Sequence, residues 1–257
     1  MPWPDEPFSA SVQRCFSRSA AQYQRGASLQ AGVAARLGRL LQPLASQLPA
    51  GPRADLGAGS GLLARAIEAR LGGPPLLRLD ACPALLEQEH TAGESPPQRC
   101  WDLNQGLPVE LQGSALLASS FALQWLEHPA ARLSAWCAAL KPGGVLALAL
   151  PCRGSFGLWH GAAARAGVPC TALPLPDASA LIEAAAGPLE LLHGRVLRYS
   201  RPNPGALAFL QQIKGIGAQA SPAPRLQPGQ LRRLLRHWPG PEQAIVWHVL
   251  LLVGQKR

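Results

Sequence analysis

The sequence predicts an α/β protein in which a seven-stranded, mostly parallel, doubly wound sheet carries helices on both faces. Two observations lead to this fold class. Strand-like and helix-like segments alternate from residue 49 to about residue 150, which is the pattern of successive βαβ units. In addition, residues 145–150 form an uninterrupted apolar run, as expected for a parallel strand that helices cover on both faces.

An N-terminal segment precedes the sheet, and residues 9–48 are predicted to be helical. Pro43 predicts a break or a kink, because proline inside a helix removes a backbone hydrogen bond. We take residues 1–48 as a helical cap and residues 49–257 as the main domain. Apolar residues at intervals of three and four mark one face of the cap: Val33, Leu37, Leu40, Leu41, Leu44 and Leu48.

The main domain is predicted to alternate strands with helices. Lys141-Pro142-Gly143-Gly144 is predicted to be a turn before the apolar strand at 145–150. Residues 151–187 show no clean strand, so we expect an inserted lid there. The other strands are predicted to end at Leu56 and to occupy 76–80, a short segment before Asp102, 114–118, 189–199 and 244–253, with helices at 61–71, 83–90, 129–140, 203–215 and 230–237.

The most informative motif is Asp55-Leu56-Gly57-Ala58-Gly59-Ser60-Gly61, where three glycines alternate after an acid. Glycine permits backbone turns and a close approach of the main chain to a ligand. Dinucleotide loops usually read GxGxxG and hold a pyrophosphate, which the acid here would repel. The acid suits a cationic amine, and the combination is typical of S-adenosylmethionine sites. An ordinary strand–helix turn is the alternative, since 26 of the 257 residues are glycine.

Two further acids follow predicted strands. Asp80 ends the second strand, 19 residues after Gly61, at a distance where an acid can accept hydrogen bonds from both ribose hydroxyls. Asp102 follows residues 98–101 and is placed to meet the exocyclic amine of adenine. Acids at successive strand ends lie where a doubly wound sheet binds its ligand. A helix cap or a turn is the alternative role for each acid.

Composition adds less than the motifs. Lys plus Arg exceed Asp plus Glu by nine, but the basic residues form no block of the kind found in nucleic-acid-binding arms. Six cysteines without a CxxC pair, and histidines without metal spacing, predict reduced thiols and no metal site. The N-terminus lacks the pattern of a signal peptide, and no run of about 18 apolar residues occurs. We therefore expect a cytoplasmic protein that does not bind a membrane.

Four segments resemble the malonyl-acyl-carrier-protein O-methyltransferase family, often called BioC. They are Phe16-Ser17-Arg18-Ser19-Ala20-Ala21-Gln22-Tyr23 with Leu29-Gln30, residues 119–125, residues 141–144, and residues 210–218 with Lys214-Gly215-Ile216-Gly217-Ala218. The first and last are the specific ones, and the resemblance runs from about residue 12 to the C-terminus. It implies a Rossmann-like class I methyltransferase fold. The sequence departs from the family at Ser114, where strand four usually begins with aspartate, and at 174–176 and 219–228.

The resemblance implies methyl transfer from S-adenosylmethionine to the free carboxylate of malonyl-acyl carrier protein, an early step of biotin (pimeloyl) synthesis. A carboxylate is ionised at neutral pH and needs no general base, so we assign no catalytic residue and expect catalysis by positioning. The alternatives are methylation of another small-molecule carboxylate and a non-catalytic assembly factor of the same fold. A nucleic-acid methyltransferase is disfavoured, because residues 119–122 do not match the Asn/Asp-Pro-Pro-aromatic element.

The motif and the resemblance together assign two sets of residues. Lys214 ranks first among three cations that could orient the carboxylate, with a helix-end lysine in solvent as its alternative role. The substrate set is Tyr23, Gln124, Trp125, Arg153, Arg201 and Lys214. The cofactor set is Asp55, near the amino end of the ligand, with Gly57, Ala58, Gly59, Gly61, Asp80, Ala81, Asp102, Leu103, Ser119 and Phe121.

The implied protein partner is an acidic acyl carrier protein, which a basic patch would attract. Arg232, Arg233 and Arg236 form one candidate patch, and Arg195 with Arg198 form another. We expect a monomer that binds no nucleic acid.

Overall fold

The computed structural model describes residues 7–89 and 95–257. Its centre is one sheet of seven strands in the order β3-β2-β1-β4-β5-β7-β6. β1 to β5 are mutually parallel, and β7 runs antiparallel to both β5 and β6. This confirms the predicted fold class. The strands are β1 Arg53–Leu56, β2 Leu77–Asp80, β3 Gln98–Cys100, β4 Ser114–Ser120, β5 Leu140–Pro151, β6 Leu189–Arg201 and β7 Ile245–Lys256.

Nine α-helices occur in the described parts of the chain, and short 3-10 turns supplement them. The prediction that residues 9–48 are helical is confirmed: two helices are followed by a 3-10 turn, Gln42–Gln47, where Pro43 stands. The helices are α1 Phe8–Gly26, α2 Ser28–Leu41, α3 Leu62–Leu71, α4 Pro83–Leu86, α5 Pro129–Ala139, α6 Gly157–Ala166, α7 Ala178–Ala186, α8 Ala206–Gly215 and α9 Pro228–Arg236.

Two segments differ from the sequence prediction. Residues 141–144 lie inside β5 instead of forming a turn before it, because the strand continues through a register shift opposite Ser114 and Leu116. The helix predicted at 83–90 is a single turn, α4. Residues 151–187 contain α6 and α7, in agreement with the expected lack of a clean strand, and their role as a lid stays a prediction.

The core consists of two apolar layers, one on each face of the sheet. On one face Leu133 and Trp136 of α5 pack with Leu181 of α7. On the other face Leu37 of α2 packs with Ile67 of α3. Residues 116–118 of β4 and 145–150 of β5 alternate between the two layers and are fully buried, as expected for the central strands of a sheet covered on both sides.

The two N-terminal helices lie in different places. α2 packs against α3 so closely that a Cβ on Gly38 would lie 2.5 Å from the carbonyl oxygen of Ala66. α1 instead crosses the carboxyl edge of the parallel strands and contacts α4 and α8. The division at residue 48 stays a prediction. No helix in residues 7–89 and 95–257 is both long enough and apolar enough to cross a membrane.

Candidate active site

The glycine loop joins β1 to α3, and its three alternate glycines have φ angles of +73°, +55° and +74° at Gly57, Gly59 and Gly61. Residues other than glycine rarely adopt such φ angles. Two of these glycines also lie against neighbours. A Cβ on Gly57 would lie 2.2 Å from the Cβ of Ala122, and one on Gly61 would lie 2.1 Å from Oε2 of Glu89. The loop therefore requires glycine for both conformation and space.

Asp80, at the end of β2, holds the loop in place. Its Oδ2 accepts a hydrogen bond from the amide of Gly59 at 2.8 Å, and its Oδ1 accepts one from the amide of Cys82 at 2.8 Å. Burial raises the pKa of the Asp80 carboxyl, and these two hydrogen bonds oppose the shift. Asp80 therefore shapes the loop as well as lining the cavity beside it.

Asp55, at the end of β1, lies beneath the loop and is fully buried. Its Oδ2 accepts a hydrogen bond from the amide of Ala64 at 3.0 Å, while its Oδ1 has no hydrogen-bond partner. Burial raises the pKa of this carboxyl to about 7, although the nearby Arg78 guanidinium acts in the opposite direction. A carboxyl with such a pKa changes charge near neutral pH.

Asp102 follows β3 and caps the 3-10 turn Leu103–Gln105, accepting a hydrogen bond from the amide of Asn104 at 2.9 Å. The alternative role considered for this acid, a turn cap, is therefore real. The same residue also lines the cavity described next, together with Leu103.

A cavity of about 520 Å³, the glycine-loop cavity, lies between the loop, the ends of β2 to β4 and α1. Four assigned residues are not on its wall: Asp55, Ala58, Gly61 and Ser119. Ser119 is buried and donates to the carbonyl oxygen of Leu56 at 2.7 Å, and the next residue, Ser120, lines the cavity instead. Seven assigned cofactor residues do line the cavity: Gly57, Gly59, Asp80, Ala81, Asp102, Leu103 and Phe121.

The chemistry of this wall fits S-adenosylmethionine. Asp80 and Asp102 are acids, and none of the described residues on the wall is lysine or arginine. A phosphate-bearing dinucleotide would find no cation there, whereas a ligand with ribose hydroxyls and amines would find carboxylate acceptors. Ala81, Leu103 and Trp101 supply apolar surface beside these acids.

A second, smaller cavity of about 70 Å³, the aromatic chamber, adjoins the first, because Phe16, Tyr23, Phe121 and Trp125 line both. The rings of Phe16 and Trp125 pack edge to face with centroids 5.5 Å apart. The other aromatic residues of the chamber are Phe156, Trp159 and Trp247.

Among the described residues, two buried polar atoms of the aromatic chamber have no hydrogen-bond partner: Nε1 of Trp159 and Oε1 of Gln124. The Nε2 of Gln124 donates to the carbonyl oxygen of Phe121 at 2.8 Å. Among the substrate residues assigned from sequence, Tyr23, Gln124 and Trp125 thus lie on the chamber wall.

The three candidate cations lie elsewhere. Arg153 is 75% exposed and lies 3.4 Å from Asp177. Arg201 donates to the hydroxyl of Ser28, and its guanidinium carbon lies 5.8 Å from the ring centroid of Trp247. Lys214 lies in a groove on the outer side of α1. None of the three lines the glycine-loop cavity or the aromatic chamber.

The segment from Lys214 to Ala218, at the end of α8, packs against α1. The hydroxyl of Ser19 donates to the carbonyl oxygen of Lys214 at 2.9 Å. A Cβ on Gly217, whose φ is +75°, would lie 2.8 Å from Cα of Phe16. Ile216 and Ala218 then close one side of the aromatic chamber. This packing explains why residue 217 is glycine, which the sequence alone did not explain.

Sequence reasoning missed Trp159 and Trp247 as parts of the chamber, since they come from α6 and β7, far apart in the chain. Phe16 carried a usable signal. It stands seven residues before Tyr23 on α1, a spacing that places both rings on one helix face.

Comparison with known proteins agrees with the fold. A family model described as a methyltransferase domain matches residues 54–148. The chain is 36% identical over 237 residues to the biotin biosynthesis bifunctional protein BioCD of Bordetella avium, covering 89% of this chain. It spans about half of that relative, 48% of its length. The solved structure of a geranyl diphosphate methyltransferase aligns with a TM-score of 0.53 at 13% identity, covering 98% of this chain and 100% of that one.

The relative that decides the family is the malonyl-[acyl-carrier protein] O-methyltransferase of Herminiimonas arsenicoxydans. Identity to it is 30% over 218 residues, which cover 84% of this chain and 80% of that protein. The chain therefore belongs to the malonyl-[acyl-carrier protein] O-methyltransferase family and is a class I methyltransferase that takes its methyl group from S-adenosylmethionine.

Proposed function

We propose that this chain methylates the free carboxylate of a malonyl group carried as a thioester on acyl carrier protein. The relatives named for this reaction support the proposal, and so does the chemistry of the aromatic chamber. None of the described residues that line the chamber is a histidine, a carboxylate or a lysine. A hydroxyl or ammonium substrate would need such a group to remove its proton, whereas a carboxylate is already ionised. This lining is the observation that carries the proposal.

The methyl donor belongs in the glycine-loop cavity. When bound there, S-adenosylmethionine supplies an electrophilic methyl group on a sulfonium. We assign the ribose hydroxyls to Asp80 and the adenine amine to Asp102 with the Leu103 amide. Gly57 and Gly59 let the backbone approach the ligand, and Asp55 supplies negative charge from beneath the loop. Phe121 lies on both the glycine-loop cavity and the aromatic chamber, beside the place where the reacting groups meet.

The substrate carboxylate belongs in the aromatic chamber, where neutral donors replace the cation expected from sequence. The indole N–H of Trp159 is buried without a partner. Leaving such a donor unpaired costs about 1–3 kcal/mol, which a bound oxygen atom would recover. The aromatic rings exclude water, so the carboxylate loses part of the hydration that makes it a weak nucleophile. In this arrangement the chain contributes position and a dry surface, without a proton-transfer residue.

The relatives support a biological setting for this reaction. They are named for biotin biosynthesis and for methylation of malonyl-acyl carrier protein. Methylation would mask the charge of the malonyl group, so that enzymes of fatty-acid elongation can treat the chain as apolar. A cytoplasmic location, a monomeric state and the absence of nucleic-acid binding remain parts of this proposal.

A second candidate is methylation of another small carboxylate, since a chamber without a general base suits any carboxylate. The experiment that separates the two is methyl transfer from labelled S-adenosylmethionine to malonyl-acyl carrier protein, with acetyl-acyl carrier protein as the matched control. Labelling of the malonyl form alone, as an ester that alkali hydrolyses, supports the proposal. If neither carrier is labelled while calorimetry detects S-adenosylmethionine binding, the malonyl substrate is excluded and free dicarboxylates are tested.

A further inference from the structure

A groove of about 770 Å³, the basic groove, lies on the outer side of α1, between it, α8 and the segment after α8. Four cationic residues line it: Arg14, Arg18, Lys214 and Arg225. None of the described residues on its wall is an aspartate or a glutamate. The groove therefore concentrates positive charge.

Cys15 lies in the same groove, and three of these cations act on the pKa of its thiol. Burial raises the pKa of the Cys15 thiol, while Arg14, Arg18 and Arg225 act to lower it. Arg14 and Arg18 stand four residues apart on one face of α1.

α1 separates the basic groove from the glycine-loop cavity. Gln13 and Phe16 lie on the cavity side, and Arg14 and Arg18 lie on the groove side. A molecule bound in the groove therefore does not meet the methyl donor directly.

An open cleft of about 810 Å³, the outer cleft, lies at the C-terminal end of α1. It shares Gln22 and Gly215 with the basic groove. It shares four residues with the aromatic chamber: Gln30, Ile213, Ile216 and Trp247. Each of these cavities therefore adjoins the next, in the order basic groove, outer cleft, aromatic chamber and glycine-loop cavity.

We propose that the basic groove is the docking surface for an acidic carrier protein, and that the carrier's acyl arm reaches the aromatic chamber through the outer cleft. This inference rests on the proposed function. Charge complementarity selects the partner, since the cations Arg18, Lys214 and Arg225 in the groove fit an anionic protein surface. Arg25 and Arg201 in the outer cleft stand where the phosphate of a pantetheine-type arm would pass.

The two basic patches predicted from sequence are less suited to carrier docking. Arg232 and Arg236 are exposed but line none of these four cavities, and the Nε of Arg233 donates to the carbonyl oxygen of Ala166. Arg195 and Arg198 lie on β6, also outside the series. Lys214 thus acquires a role at the carrier surface instead of at the carboxylate.

The test compares Arg18→Glu/Arg225→Glu with the control Arg232→Glu/Arg236→Glu, which changes the net charge equally on a surface outside the groove. Initial rates are measured with malonyl-acyl carrier protein and with malonyl-pantetheine, a substrate without the carrier. The groove variant should lose about tenfold or more in kcat/KM for the carrier substrate, through KM. It should stay within about twofold of wild type with malonyl-pantetheine, and the control within about twofold with both.

Equal losses in groove and control variants, or no loss in the groove variant, overturn the docking surface. Equal losses on both substrates in the groove variant overturn it as well, because the effect would then lie in folding or in the site itself. Arg18→Gln/Arg225→Gln replaces the reversal if that variant does not fold. A wild-type protein inactive on malonyl-acyl carrier protein removes the proposed function itself, an outcome distinct from an active wild type with an unaffected groove variant.

Discussion

The carboxylate of Asp80 accepts a hydrogen bond from the amide of Gly59 at 2.8 Å, although 21 residues separate the two in the chain. The acid at the end of β2 thereby fixes the loop that follows β1. Its other oxygen accepts from the amide of Cys82 at 2.8 Å. The wall of the glycine-loop cavity is thus set before any ligand enters.

Asp80→Asn should weaken binding of S-adenosylmethionine by about 10- to 100-fold, because an amide has one oxygen and leaves one of these two backbone donors unpaired. Isothermal calorimetry measures the affinity. Asp177→Asn is the control, since Asp177 also accepts a backbone hydrogen bond, from Ser179 at 2.9 Å, at a helix cap far along the chain. Unchanged affinity in Asp80→Asn would refute the assigned role.

Gly57→Ala should destabilise the protein more than Gly113→Ala. Both glycines have φ near +74°, at +73° and +74°, so both substitutions carry a conformational cost of about 1–2 kcal/mol. Only at Gly57 does the new Cβ meet a neighbour, since Gly113 has open space. Urea unfolding should show about 1–3 kcal/mol more loss for Gly57→Ala. Equal losses would mean that Ala122 moves aside freely.

The stability of the ligand-free protein should fall as pH rises from about 5 to about 7. The folded pKa of Asp55, about 7, lies above its ordinary value of 3.8, so the folded state binds this proton more tightly than the unfolded state does. The stabilisation is present at low pH and is lost as the carboxyl ionises, by about 2 kcal/mol over this window. Urea unfolding at several pH values measures the slope.

Asp55→Asn isolates this contribution, because the difference between wild type and variant removes the other titrating groups. Asp177→Asn is the matched control. Hydrogen bonds from Ser179 lower the pKa of Asp177, so its charge does not change in this window. A wild-type slope equal to that of Asp55→Asn would show that Asp55 is ionised throughout.

Trp159→Phe should lower kcat/KM for the methyl acceptor by about three- to tenfold, because it removes the unpaired indole donor and keeps a ring in the chamber. Trp136→Phe provides the control. The Nε1 of Trp136 is also buried without a partner, but Trp136 belongs to the sheet core and lines neither the glycine-loop cavity nor the aromatic chamber. Initial-rate kinetics should therefore change in the first variant alone. Equal losses of kcat/KM in both variants would mean that the loss comes from altered packing and not from the missing indole donor.

The order of elements was predictable because hydrophobic periodicity and glycine turns are local signals. The direction in which each side chain points was harder to predict from the sequence. Ser119 and Ser120 are adjacent in β4 and point to opposite faces, so an error of one residue decides which serine lines the cavity. The surroundings of Lys214 were not predictable for a different reason, since they depend on α1, 195 residues away at Ser19.

The position of α1 also bears on the order of events in a catalytic cycle. The helix separates the glycine-loop cavity on one side from the basic groove on the other. If the acyl arm enters as proposed, the two reactants use separate entrances and neither blocks the path of the other. Binding and product release can then follow either sequence, and the spent nucleoside can leave while the carrier is still docked.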